Sequence, residues 1–322
     1  MKPFDATSYL RELARGKHGA RDLTREQART LFAAVFAGDV HDLALGALVT
    51  ALRIKGETLD ELAGMVDALA PHMNALRLPA RRAMAVVLPT YNGARKLPNL
   101  VPLLALLLAR DAIPVLVHGA AQVAHRVGTF EILSHLNHLP ASSIIEAENR
   151  LEQHHLAAVP VNLLCPALSR LLDLRLTVGV RNSGHTLAKL MLPSGVAASQ
   201  AVRLVSVTHP DFQKLLRDYF GAAPANVFLM RGVEGESVVR LHSPQPIEFI
   251  GADGRALTLA IEGGETGLEL PARDAHSTAQ WIASVLDGRI PTPRAIARQA
   301  ALIADQCRKG AAIPSLKLVS SK

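Results

Sequence analysis

A chain of 322 residues, 49% apolar and 20% charged, has enough apolar surface to bury a large core, which excludes a disordered or fibrous protein. Its two cysteines, Cys165 and Cys307, lie far apart in no metal or redox spacing, so a cysteine zinc site and a disulfide framework are excluded and a cytoplasmic location is expected. The formal charge of +7 favours polyanionic partners without selecting one.

The opening MKPFDATSYL has no apolar segment, and the strongest apolar run, LVPLLALLLA from Leu100 to Ala109, is too short to span a bilayer, so no membrane association is expected. In LTREQARTLFAAVFAGD, Thr24 with Gln27 three residues on reads as a capping box. Leu31, Phe32, Val35 and Phe36 follow at helical spacing until Gly38. A second helix runs through DLALGALVTALRIK to Gly56, and a third starts at Thr58, boxed by Glu61, with Leu62, Met65, Val66 and Leu69 on one face. From residue 84 short β-branched runs (MAVVLP, PVLVHG, AVRLVSV, NVFLMRG, SVVRLH) alternate with helix-length segments. The fold class expected is therefore α/β: a small N-terminal helical bundle over residues 1–75 and a large, mostly parallel α/β domain over 76–322. Residues 166–193 interrupt the alternation with basic, helical sequence placed to pack back on the bundle, and helices around 279–286 and 293–308 close the chain.

ALRIKGET, Ala51 to Thr58, together with the later FLMRGVEGE and VGVRNSGHTL, resembles the anthranilate phosphoribosyltransferase and class II nucleoside phosphorylase family over nearly the whole chain. The resemblance implies a phosphoribosyltransferase-type fold with the substrate cleft between its two domains, and a homodimer formed through the helical domain. Enzymes of the family hold the pyrophosphate of phosphoribosyl pyrophosphate on a glycine-rich turn after the first strand, where backbone N–H groups approach phosphate closely. Here that turn is PTYNGARK, and only Gly93 remains. In the second phosphate loop VHGAAQ keeps His118 and Gly119, but Ala120, Ala121 and Gln122 stand where the family has Asn, Arg and Ser. Laying RGVEGESV on the acidic magnesium motif puts Ser237 and Val238 at the two carboxylate positions, with Glu234 and Glu236 offset, and an arginine pair of the aromatic-acid pocket thins to Arg175-Leu176. This combination is similar to the YbiB-like branch of the family. The resemblance implies that such members lack the transferase activity and bind DNA and RNA with little sequence preference.

The candidate binding residues are consistent with that. Arg95 and Lys96 follow a turn expected at the ligand edge of the sheet, beside Tyr91 as a ring for base stacking and the turn-forming Asn92; a solvated surface turn is the alternative. Arg181, His185 and Lys189, spaced i, i+4, i+8, share one face if helical, with Asn182 and Ser183 as polar neighbours or caps; a wet helix face is the alternative. Arg15, Lys17, His18 and Arg21 crowd a glycine-punctuated basic loop, while Arg126, Arg231 and the loop residue His118 lie by the former phosphate loops. Lys55 reads as a helix C-terminal cation. No catalytic residue is assigned: Ser183 beside His185 makes no triad. The histidine pairs His135/His138 and His154/His155 lack carboxylate or cysteine partners for zinc. No cofactor is expected, and magnesium belongs only to the rival reading, a phosphoribosyltransferase using Glu234 or Glu236 on the metal and Arg95 and Lys96 on the pyrophosphate. A third reading is a dimeric scaffold for a protein partner.

Overall fold

The structure is a computed structural model that describes residues 4–16, 18–79, 83–223, 225–261, 264–265 and 267–311. Four helices open the chain: α1 (Thr7–Leu13), α2 (Arg25–Ala37), α3 (Asp42–Lys55) and α4 (Leu59–Leu69). Both expected capping boxes are present, since the Thr24 and Thr58 side chains accept from the N–H of Gln27 and Glu61, whose own side chains reach back. Gly38 ends α2 in the left-handed conformation that glycine takes without steric cost. Helix α1 was not visible in the sequence because it spans only two turns and no side chain caps it.

Lys55 closes α3 as the expected helix C-terminal cation, and the fold gives it an internal ion pair as well. Its ammonium is nearly covered and sits 2.7 Å from both Asp22 and the fully buried Glu61. Glu61 also accepts from Leu23 N and Thr58 N, so one carboxylate closes a capping box, fixes the preceding loop and neutralises Lys55. Burial by itself would lower the Lys55 pKa, but these two carboxylates hold it above its ordinary value.

The large part of the chain is built on one sheet: β1 (Ala85–Thr90), β2 (Val115–Gly119), β3 (Leu156–Pro160), β4 (Ala201–Ser206), β5 (Val227–Met230), β6 (Ile247–Ile250) and β7 (Ala256–Leu259). They lie in the order β3-β2-β1-β4-β5-β6-β7, with the first five strands of that order parallel and β6 and β7 added antiparallel. Helices cover both faces. Val86 and Leu88 of β1 pack on one side with α5 (Val101–Arg110), α6 (Thr129–His135), α12 (Ala275–Leu286) and α13 (Arg294–Ala311), while Val87 joins the core that continues into the bundle. α7 (Ile144–His154) leads into β3, and the short α8 (Val161–Leu164) follows it.

The segment between β3 and β4 supplies α9 (Pro166–Val178) and α10 (Gly184–Leu190), and the residues 166–193 singled out in the sequence do pack back on the bundle. α9 contacts α2, with Arg170 donating to Phe36 O, and α10 lies between α4 and the β1–β4 edge. α11 (Pro210–Ala222) packs on α4 and β5. SVVRLH, expected as a strand, is irregular. Its backbone bonds to the buried Gln299 instead, which accepts from Val239 N and donates to Ser237 O. Strands β3, β6 and β7 escaped the sequence reading; β3 (LAAVP) is short of β-branched residues and β7 is largely exposed, so neither shows the apolar β-branched run that marked the others.

Strand order reverses between β1 and β4, so the loops leaving their carboxyl ends diverge and open a crevice there, as in other open α/β sheets. α10 closes the crevice on the bundle side.

Candidate functional site

The turn after β1 forms one wall of this crevice. Gly93 has φ +60° and a Cβ there would stand 2.9 Å from Val127 O, so this position needs glycine. The backbone N–H groups of the turn converge as an anion cradle does, but the anions they hold belong to the protein. Asn92 N and Gly93 N each donate to Glu236 Oε1 at 2.7 Å. Arg95 N, Lys96 N and Leu97 N donate to Glu234 Oε1 at 3.0, 2.7 and 3.2 Å. The remaining N–H, of Ala94, donates to Val127 O. Glu234 reaches this position from the loop after β5 at φ 51°, a conformation that costs a non-glycine residue on the order of 1 kcal/mol.

The two carboxyl groups are shifted in opposite directions. Burial tends to raise both. At Glu234 the three N–H donors and Arg126 reverse that and hold the carboxyl below its ordinary value. At the fully buried Glu236 burial prevails over the Asn92 and Gly93 N–H groups and the Lys189 charge, and its pKa is raised.

Arg95 and Lys96 keep exposed side chains with no ion pair among the described residues, as does Arg231. Arg126 instead donates to Gly93 O and to Glu234 Oε2, which offsets its charge. Tyr91 and His118 correct the sequence reading. The ring expected to stack on a base is buried, its hydroxyl 2.8 Å from His118 Nδ1, and His118 is 1% exposed, so neither faces the crevice. Asn92 is buried too, its amide donating to Gly235 O.

The expected helical stripe is also different in kind. Arg181 precedes α10 rather than lying on it, yet the fold still gathers Arg181, Asn182, His185 and Lys189 around one cavity of about 120 Å³. Asn182 is structural, donating to Leu171 O and accepting from Gly184 N. His185 Nδ1 accepts from Asn182 N, and burial with the neighbouring Arg181 and Arg175 pushes this imidazole down to about 3, so it is neutral at pH 7. Lys189 donates to Ser206 O, and burial pushes its ammonium down to about 8. Arg181 has no hydrogen-bond or ion-pair partner among the described residues; burial first, then Arg175 and Arg126, push it down to about 10.

Among the lining residues the sequence reading did not select are Arg53 at the end of α3, and His209 and Phe212 from the loop and helix after β4. The signal that could have found His209 and Phe212 is the rule that ligand loops follow the two strands flanking a reversal of strand order, whereas Arg53, on α3, carries no such signal. Arg15 and Arg21 share Glu12 on α1, away from these groups in the contacts they make, and Lys17 lies outside the described residues.

The donor set does not fit magnesium. Ser237 and Val238, laid on the acidic motif by the sequence resemblance, are buried and bring no carboxylate, and Glu234 Oε1 and Glu236 Oε1 are each taken by backbone N–H groups. Among the described residues no group of three or more His, Cys, Asp or Glu side chains could hold a metal. No described helix is long and apolar enough to cross a membrane.

A helical bundle joined to a mostly parallel sheet with a crevice at its β1–β4 edge is the phosphoribosyltransferase scaffold. Residues 7–73 match the helical bundle domain of the glycosyl transferase family. The chain is 39% identical over 299 residues to the uncharacterized protein YbiB of Escherichia coli strain K12, covering 92% of this chain and 93% of that one. It is 27% identical to the anthranilate phosphoribosyltransferase of Methylobacterium nodulans over 287 residues, 87% of this chain and 82% of the enzyme. The crystal structure of the Thermus thermophilus anthranilate phosphoribosyltransferase superposes with a TM-score of 0.70 at 21% identity over 96% of both chains. The Saccharomyces cerevisiae enzyme in complex with phosphoribosyl pyrophosphate and magnesium gives 0.71 at 11% identity, over 95% and 91%. The chain therefore belongs to the anthranilate phosphoribosyltransferase-like family.

Two expectations follow from the geometry. If the turn's N–H groups are an anion cradle filled from within, replacing both glutamates (Glu234→Ala with Glu236→Ala) leaves five donors unsatisfied and lowers stability by several kcal/mol. Millimolar pyrophosphate is then expected to raise the thermal midpoint of the double variant and leave that of the native chain unchanged; equal responses would refute the idea. Separately, His118 and His185 are held near pKa 3 against about 6.5 unfolded. The unfolded chain binds more protons between those values, so their contribution is complete above pH 6.5 and is lost as pH falls toward 3. The check is by NMR: their Cε1 protons should keep neutral-imidazole shifts down to about pH 4.

Proposed function

We propose that this chain is a nucleic-acid-binding protein of little sequence preference, for DNA and also RNA, on a phosphoribosyltransferase scaffold that does not carry out the transfer. The observation that carries the reading is the filled cradle. The N–H groups that would grip a pyrophosphate are satisfied by Glu234 and Glu236, while Arg53, Arg95, Lys96, Arg181 and Arg231 around them have no ion pair among the described residues. Cations without internal partners beside a backbone with no free donors suit a ligand held by side-chain charge, and phosphodiester chains are such ligands. With Tyr91 buried, the half-buried Phe212 is the ring available beside the cations. The wider family favours the rival reading, phosphoribosyl transfer with magnesium; the occupied cradle and the missing carboxylates weigh against it.

The functional unit in this reading is a homodimer through the helical domain. An apolar groove of about 930 Å³ lies between α1, α3 and α9, with Leu43 and Ile54 at its rim 79% and 75% exposed, the kind of uncovered apolar surface that suits an interface. A second copy of the chain is the proposed occupant, because Arg53 lines the cation cavity while its neighbour Ile54 lines the groove, so pairing across α3 would bring two cavities together.

Single-stranded oligonucleotides are expected to bind with log K falling by about 0.7 per neutralised phosphate per decade of salt, and Arg95→Glu with Lys96→Glu is expected to abolish retention in a gel shift. Salt-independent binding, or titration heat from phosphoribosyl pyrophosphate with magnesium, would instead favour the enzyme. Ile54→Glu is expected to yield a monomer in light scattering; a native chain that is itself monomeric at micromolar concentration would remove the dimer from the account.

A further inference from the structure

The cavity at the β1–β4 edge is too small and too highly charged for a chain that merely passes over it. Its volume of about 120 Å³ is well below the 300 Å³ or so at which pockets begin to enclose a nucleoside-sized ligand. Arg53, Arg181 and Lys189 are the cationic residues that line it, with Thr208 and the neutral His185 as uncharged polar neighbours. Arg181 is half-buried and unpartnered. The carboxylate that Arg181 and Lys189 sense, Glu236, directs one oxygen at Asn92 N and Gly93 N. A partly buried guanidinium with no ion-pair partner gains from an anion that a ligand supplies.

An internal phosphodiester is a poor match, since it carries one negative charge and has two ester arms that must both leave the cavity. A phosphate monoester has a charge of about −1.5 to −2 at neutral pH, three acceptor oxygens and a single arm. We infer that the Arg53–Arg181–Lys189 cavity is an end-recognition site that takes the terminal phosphate monoester of a nucleic-acid strand, with the adjoining nucleotide leaving past Phe212 toward Arg95 and Lys96. The inference rests on the nucleic-acid reading above and narrows it: the chain holds strands anywhere by charge, and phosphorylated ends best.

The test measures fluorescence anisotropy of the full chain with short single strands of one sequence bearing a 5′-phosphate, a 3′-phosphate or hydroxyls at both ends. A phosphate at one of the two ends is expected to tighten binding roughly tenfold over the hydroxyl-ended strand, and comparing the 5′ and 3′ strands identifies which end is read. Arg181→Met is expected to bring that ratio to about one, with Arg181→Lys restoring part of it and circular dichroism checking that both variants fold. Inorganic phosphate at millimolar concentration is expected to compete away the difference. Equal affinity for all three strands overturns the end-recognition site and leaves the nucleic-acid reading standing. Failure of every strand to bind overturns both, and a phosphate preference that persists in Arg181→Met overturns the assignment to this cavity.

Discussion

Five backbone N–H groups between Asn92 and Leu97 close on two carboxylate oxygens, and the crevice is organised around that closure. A turn whose successive N–H groups face one side attracts an anion. When the anion is tethered to another loop of the same chain, the loops after β1 and β5 are tied together and these N–H groups need no ligand to satisfy them. Glu234 holds a left-handed backbone conformation to make its three bonds, which places the arrangement among strained features maintained by their surroundings.

With the backbone donors satisfied, recognition falls to side chains, and their environments divide them sharply. Lys55 and Lys189 are both largely covered, yet Asp22 and Glu61 hold Lys55 charged above its ordinary pKa, while Lys189, bonded to the neutral Ser206 carbonyl, is pushed down to about 8. The bundle thus neutralises its buried cation from within. The crevice leaves Lys189 and Arg181 short of counter-charge, which is the condition under which an incoming anion gains most.

Local features were legible in the sequence. The capping boxes at Thr24 and Thr58, the glycine stops, and the buried runs that became β1, β2, β4 and β5 each rest on contacts a few residues apart or on one short apolar stretch. The site was legible in composition more than in role. Arg95, Lys96 and Arg181 were singled out and are unpaired in the fold, but Tyr91 and His118 were singled out with them and turn inward. Residue type and spacing do not reveal which side of a turn meets solvent.

By itself the sequence determined the helical bundle, the parallel α/β order, and the removal of glycines and acidic ligands from positions where related enzymes carry them, because these are properties of neighbouring residues. Tertiary structure alone decided that Glu234 and Glu236 fill the turn after β1, that Phe212 and Arg53 join the cations, and that Lys55 is an internal ion pair. Asn92 and Glu236 stand 144 residues apart. Only the strand order, which sets the ends of β1, β4 and β5 side by side, brings such distant groups within hydrogen-bonding reach.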